Sequence, residues 1–89
     1  MTSGPGVTRA ATEVTIRYWA SARAAAGCDC ERFAGGDVGE VLRAAAAAHE
    51  GLGKVLAVST ILLDGLPANA SESLRPGVIL EVLPPFAGG

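Results

Sequence analysis

Few side chains in this sequence are suited to chemistry, and they lie far apart. Cys28 and Cys30 are separated by one residue, and His49 is the only histidine. A Cys-x-Cys pair can contribute to a zinc site, but structural sites use four ligands and only His49 is at hand to extend the set. A disulfide across one intervening residue would be strained. The two cysteines are therefore read as ordinary turn and strand residues, with no metal. His49, beside Glu50 at a helix end, is expected to be solvated, since cations suit that end. No serine or cysteine stands in a recognisable catalytic motif with it, and no phosphate-cradling or dinucleotide loop occurs; Gly35-Gly36-Asp37 is a break and a cap. The reactive group that survives is the α-carboxylate of Gly89. As an anion it is a poor electrophile, so acyl chemistry there requires prior activation by another protein.

The residues before that carboxylate are suited to presenting it. A strand-like run, Val78-Ile79-Leu80-Glu81-Val82-Leu83, stops at Pro84 and Pro85, and the chain closes on Phe86-Ala87-Gly88-Gly89. Proline fixes φ and lacks an amide hydrogen, so the pair cannot continue a sheet ladder and leaves as a stiff extended segment. Gly88 and Gly89 carry no side chain and can pass a gap too narrow for a Cβ. Fully extended, residues 84–89 reach on the order of 20 Å from the domain. They are read as an extended arm.

The elements that must hold this arm follow from periodicity. Residues 1–12 are small, polar and Gly/Pro-containing and are expected to form a flexible tail. Val14-Thr15-Ile16-Arg17-Tyr18 alternates as a half-buried strand, with Val14, Ile16 and Tyr18 inward and Arg17 and Trp19 outward. Ser21 is expected to cap a short helix, Ala22 to Ala26, closed by Gly27. Cys28 to Phe33 reads as a weak edge strand broken at Gly35-Gly36. Asp37 and Glu40 form a capping arrangement for the main helix, whose buried face would carry Val38, Val41, Leu42, Ala45 and Ala48. Gly51 and Gly53 end it. The run from Val55 to Leu63 reads as leading into a strand, Asp64-Gly65 as a tight turn, and Leu66-Pro67-Ala68 as a brief returning strand. Leu74 would anchor the polar loop after it, and Arg75-Pro76-Gly77 turns into the last strand. The domain spans residues 13–83. Its first and last strands are the most apolar and belong side by side at the centre, parallel, with the main helix across one face. A ferredoxin-type sandwich would need a second long helix, which this pattern lacks.

Composition excludes several classes of partner. Eighty-nine residues make one domain, and alanine supplies much of the 49% apolar content. The net charge is −2 and no Lys/Arg cluster occurs, so nucleic-acid binding has no electrostatic footprint. No run approaches the roughly 18 apolar residues of a membrane helix, and residues 1–6 lack the regions of a signal peptide. A cytoplasmic protein is expected.

The stretch Ile79-Leu80-Glu81-Val82-Leu83-Pro84-Pro85-Phe86-Ala87-Gly88-Gly89 resembles the C-terminus of the small subunits of molybdopterin synthase, members of the ubiquitin-like sulfur-carrier family. The Pro-Pro-x-x-Gly-Gly pattern is the specific part. The likeness continues through Val14 to Trp19, residues 22–27, and Leu62-Leu63-Asp64-Gly65. It implies an α+β fold of the β-grasp type, a mixed sheet of about four to five strands with one main helix on one face. It also implies that a ubiquitin-activating-type enzyme spends ATP to adenylate Gly89. A sulfur donor protein then supplies sulfur for a terminal thiocarboxylate, and the arm delivers it in the large synthase subunit. The chain itself would bind no cofactor, and catalytic side chains would reside in its partners. Trp19, Ile79 and Leu83, on the sheet face opposite the helix, would dock the partner together with Phe86, Pro84, Pro85 and Gly88. Phe86 occupies a position where a smaller residue is expected. Alternatives are sulfur donation for thiamine or cysteine synthesis, a ubiquitin-like modifier joined to lysines, and a plain binding module.

Overall fold

In a computed structural model, residues 12–85 are described; the proposed tail up to residue 11 and residues 86–89 lie outside them. The elements are β1 (Glu13–Tyr18), α1 (Ala20–Ala26), β2 (Cys30–Ala34), α2 (Val38–Ala48), α3 (Leu52–Val58), β3 (Thr60–Leu63), β4 (Leu66–Pro67) and β5 (Ile79–Leu83). They form one five-stranded sheet in the order β2-β1-β5-β3-β4. The two strands with fully buried side chains, β1 and β5, lie parallel at the centre, with Ile16 opposite Leu80 and Tyr18 opposite Val82. This is the mixed β-grasp sheet that the resemblance implies.

Alternation explains which side chains form the core. Val14, Ile16 and Tyr18 of β1, and Leu80 and Val82 of β5, are buried on the helix side, where Val38, Val41, Ala45 and Leu52 meet them. Each fully buried Ile or Leu side chain stabilises by about 1.5–3 kcal/mol relative to exposure. Ala48, expected on the buried face of α2, is exposed, and Gly39 is buried instead. Gly39 is covered by the loop at 69–73, whose Ala70 and Glu72 carbonyls accept the otherwise unpaired amides of Gly39 (2.9 Å) and Val38 (3.0 Å). A Cβ on Gly39 would sit 3.2 Å from Ala70 Cβ. The cap expected from Asp37 and Glu40 is present but offset. Asp37 Oδ1 accepts from the Glu40 amide at 2.8 Å, while Glu40 Oε1 reaches back past Asp37 to the Gly36 amide at 2.6 Å.

Three expectations need correction. Ser21 does not cap α1: the helix begins at Ala20, Trp19 is its cap residue, and no side chain caps it. Gly27 does close it, in the left-handed conformation at φ 77°. The edge strand starts at Cys30 rather than Cys28, because the turn out of α1 occupies the intervening residues. The run leading into β3 is helical first. Residues Leu52–Val58 form α3, with Gly51 as its left-handed cap at φ 90°. Leu52, Val55 and Leu56 follow helical spacing and pack on the core, so tertiary burial outweighs the weak helix propensity of Gly53. The described residues thus form three helices, of which α2 is the longest.

The Asp64-Gly65 turn is as expected. Both residues have positive φ, 48° and 87°, the geometry of a two-residue hairpin turn. Asp64 also pins the start of β5, accepting the Ile79 amide on Oδ1 at 3.0 Å and donating its own amide to the Ile79 carbonyl at 2.9 Å. Among the described residues no helix is long and apolar enough to cross a membrane.

Candidate functional site

The arm leaves the sheet from its central strand. β5 pairs with β1 on one side and β3 on the other, and Leu83, its last residue, faces Thr60 across the antiparallel ladder. Pro84 is buried and Pro85 exposed, so the first proline still belongs to the packed domain. Phe86, Gly88 and Gly89 lie outside the described residues.

The outer sheet face beside this exit is built by the odd-numbered residues of both central strands. Thr15 is level with Ile79 and Arg17 with Glu81; Trp19 comes one residue beyond the last registered pair, Tyr18 with Val82, and so lies level with Leu83. The Trp19 amide donates to the Val82 carbonyl at 3.2 Å. Immediately after it the backbone turns sharply, with Ala20 at φ 50°, a left-handed value that costs an alanine about 1–2 kcal/mol. That turn leaves Trp19 38% exposed at the sheet end, with the Arg17 guanidinium 5.1 Å from its ring centre. Arg17 was not singled out from sequence; its position two residues before Trp19 on the same face was the available signal.

The proposed docking residues therefore fall into two groups. Trp19, Leu83, Pro84 and Pro85 gather where the arm departs. Ile79, 40% exposed, lies at the other end of β5, about 13 Å away at roughly 3.3 Å per residue. Arg17 and Glu81 occupy the face between them.

A second cluster occupies the helix side. Glu31 is half-buried on β2, paired with Ile16, and one of its oxygens accepts the Tyr18 hydroxyl at 2.9 Å. The same oxygen lies 2.7 Å from His49 Nε2, and the His49 and Tyr18 rings meet edge to face. His49 is therefore not the solvated helix-end residue expected; its side chain is 21% exposed and held by a carboxylate eighteen positions away in sequence. Burial first, then the Glu31 hydrogen bond, pushes the Tyr18 phenol well above the usual tyrosine range. The Cys28 thiol is also pushed up, by desolvation first and then by the nearby Glu31 charge. Alternation along β2 contained a signal for this cluster, because it puts a carboxylate, Glu31, on the face that Phe33 shares with the core.

Comparison with known proteins agrees with the fold. No protein-family model matches the chain, and no curated protein matches it. Among solved structures, SAMP1 from Haloferax volcanii is 27% identical with a TM-score of 0.76, over 86% of this chain and 99% of that one. The small archaeal modifier protein 1 of Methanosarcina acetivorans is 24% identical with a TM-score of 0.79, over 89% and 98% of the two chains. A complex of subunits 1 and 2 of the molybdopterin-converting factor from Helicobacter pylori gives 26% identity and a TM-score of 0.66, over 88% of this chain and 100% of that one. Small archaeal modifier proteins and a molybdopterin-converting factor subunit are thus among the proteins this chain is similar to.

Proposed function

We propose that this chain is the small, sulfur-carrying subunit of a molybdopterin synthase, working in the cytoplasm with its C-terminal glycine as the reactive group. The observation that carries the reading is the chain's exit from the middle of the sheet. The central strand ends at Leu83, and Pro-Pro-Phe-Ala-Gly-Gly follows at once. A segment of that composition suits insertion into a narrow channel, and the prolines limit the entropy lost when it orders. The H. pylori complex of subunits 1 and 2 supports a large-subunit partner for such a chain.

The chemistry balances with two partners supplying the reagents. A Gly89 carboxylate oxygen attacks the α-phosphorus of ATP on an activating enzyme, and pyrophosphate leaves. A hydrosulfide equivalent from a sulfur donor attacks the acyl carbon and AMP leaves, giving the thiocarboxylate. Its sulfur then attacks a carbon of the pterin precursor inside the large subunit and displaces an oxygen leaving group; water cleaves the resulting thioester, which leaves the sulfur on the pterin and returns Gly89 as a carboxylate. The carrier supplies reach and a docking surface, with Trp19 and Leu83 at the base of the arm and Phe86 along it.

The test is reconstitution. Thiocarboxylated protein, mixed with a molybdopterin-synthase large subunit and the cyclic pterin precursor, is expected to form the dithiolene product. It is expected not to support thiazole formation by the thiamine enzymes, where a double proline is not anticipated. Thiazole formation without dithiolene would keep the carrier and reassign its pathway. A second reading is favoured by the SAMP1 likeness, namely that the Gly89 carboxylate is joined to lysines of other proteins. Mass spectrometry of protein from its own host separates the two: a terminal thiocarboxylate marks the carrier, and lysine conjugates mark the modifier.

A further inference from the structure

Three unlike metal-binding side chains converge on the helix side of the sheet, away from the arm's docking face. Cys28, Glu31 and His49 each offer one ligand atom, and these atoms lie within 4.8 Å of one another. We propose that Cys28 Sγ, a Glu31 carboxylate oxygen and His49 Nε2 bind one zinc-class divalent cation, with solvent as the fourth ligand.

The donor set selects the ion. A thiolate, an imidazole and a carboxylate suit zinc or cobalt(II), whereas calcium and magnesium call for six or more oxygens. Bond lengths of about 2.0–2.3 Å place tetrahedral ligand atoms roughly 3–4 Å apart. The Glu31 Oε1 to His49 Nε2 distance is 2.7 Å and no two of the ligand atoms are more than 4.8 Å apart, values on either side of that spacing. A hydrogen-bonded Glu–His pair by itself accounts for Glu31 and His49 but leaves a thiol at the same point without a use. A cation employs all three.

The backbone holds the donors from three separate elements. Cys28 lies in the turn after α1, fixed where the Tyr18 amide donates to the Asp29 carbonyl at 2.8 Å. Glu31 is locked in register opposite Ile16, and the His49 amide caps α2 by donating to the Ala45 carbonyl at 3.2 Å. The Tyr18 hydroxyl supplies the outer hydrogen bond that orients a ligating carboxylate. Cys30 stays out of the set because strand alternation turns it to the opposite sheet face, where it is exposed. The Cys-x-Cys spacing is therefore not the chelating unit; Glu31 takes the place the second cysteine would have filled. On binding, the Cys28 thiol proton is released to solvent, and His49 ligates through an unprotonated Nε2, with the proton of the neutral ring on Nδ1.

The test uses the full chain, reduced and freed of metal with a chelator, titrated with cobalt(II) and then zinc. One equivalent of cobalt is expected to give a thiolate-to-cobalt charge-transfer band that zinc abolishes. Cys28→Ser is expected to remove the band, and Cys30→Ser to leave it unchanged. Both cysteines lie at least partly at the surface, so neither variant threatens the fold. By competition with a chromogenic chelator, Glu31→Gln and His49→Gln are each expected to weaken zinc binding beyond the roughly 10-fold loss expected of Tyr18→Phe, which removes only an outer hydrogen bond. No charge-transfer band in the parent protein, or a band that requires Cys30, would overturn the proposal.

Discussion

The guanidinium of Arg17 lies 5.1 Å from the centre of the Trp19 ring, on the sheet face turned away from the helices and beside the strand end from which the arm departs. A cation against an indole face is attracted by about 0.5–1 kcal/mol at an exposed site, enough to bias the ring's orientation before any partner arrives. Trp19→Ala is expected to weaken binding to a large synthase subunit by about 2 kcal/mol, roughly 30-fold in Kd, as an aromatic anchor would. Calorimetric titration reads the loss directly. Phe86→Ala makes the same demand of the arm, whereas Ile79→Ala, at the far end of β5, is expected to cost less.

Removing Gly89, or extending the chain beyond it, is expected to abolish adenylate formation by the activating enzyme, measured as ATP–pyrophosphate exchange. The Tm is expected to be unchanged, since Pro84 is the last buried position among the described residues. Exchange that survives either change would contradict the carrier reading.

Leu52 is fully buried and ties α3 to the core. Leu52→Ala is expected to cost roughly 2–5 kcal/mol in urea unfolding. A much smaller loss would mean that α3 contributes little to the core.

Alkaline pH is expected to destabilise the chelator-treated protein. The folded state raises the Tyr18 phenol above its ordinary value of 10.0, so between that pH and the raised value the unfolded chain binds fewer protons than the native one. Stability therefore falls as pH rises through that window, and Cys28, raised from 9.0, adds a loss of the same sign from a lower starting point. Tyr18→Phe is expected to flatten the upper part of a Tm-against-pH curve. An unchanged slope in that variant would show that the phenol does not cause it.

Much of the fold was legible because its central strands alternate cleanly. Val14, Ile16 and Tyr18 identify the buried face of β1, Glu81 between Leu80 and Val82 marks the outer face of β5, and the parallel pairing of the two followed from the family resemblance. The helix α3 was not legible in the same way. Gly51 and Gly53 are punctuation by composition, and the apolar run after them lacks a polar stripe that would distinguish helix from strand. The candidate site divides similarly. Strand parity places Trp19, Ile79 and Leu83 on one face, but their separation along it depends on register, which pairing between strands decides. The contact of His49 with Glu31 joins a helix end to an edge strand and leaves no local trace in either segment.

The placement of β5 has a mechanical consequence. Tension on the C-terminal arm, as when it is drawn from a tight channel, runs along the strand axis and perpendicular to the hydrogen bonds that flank it. An edge strand under such a load would be held by a single ladder. β5 is held by β1 on one side and β3 on the other, so two ladders share the shear. The same strand that presents the arm is thereby the one least easily extracted when the arm is pulled.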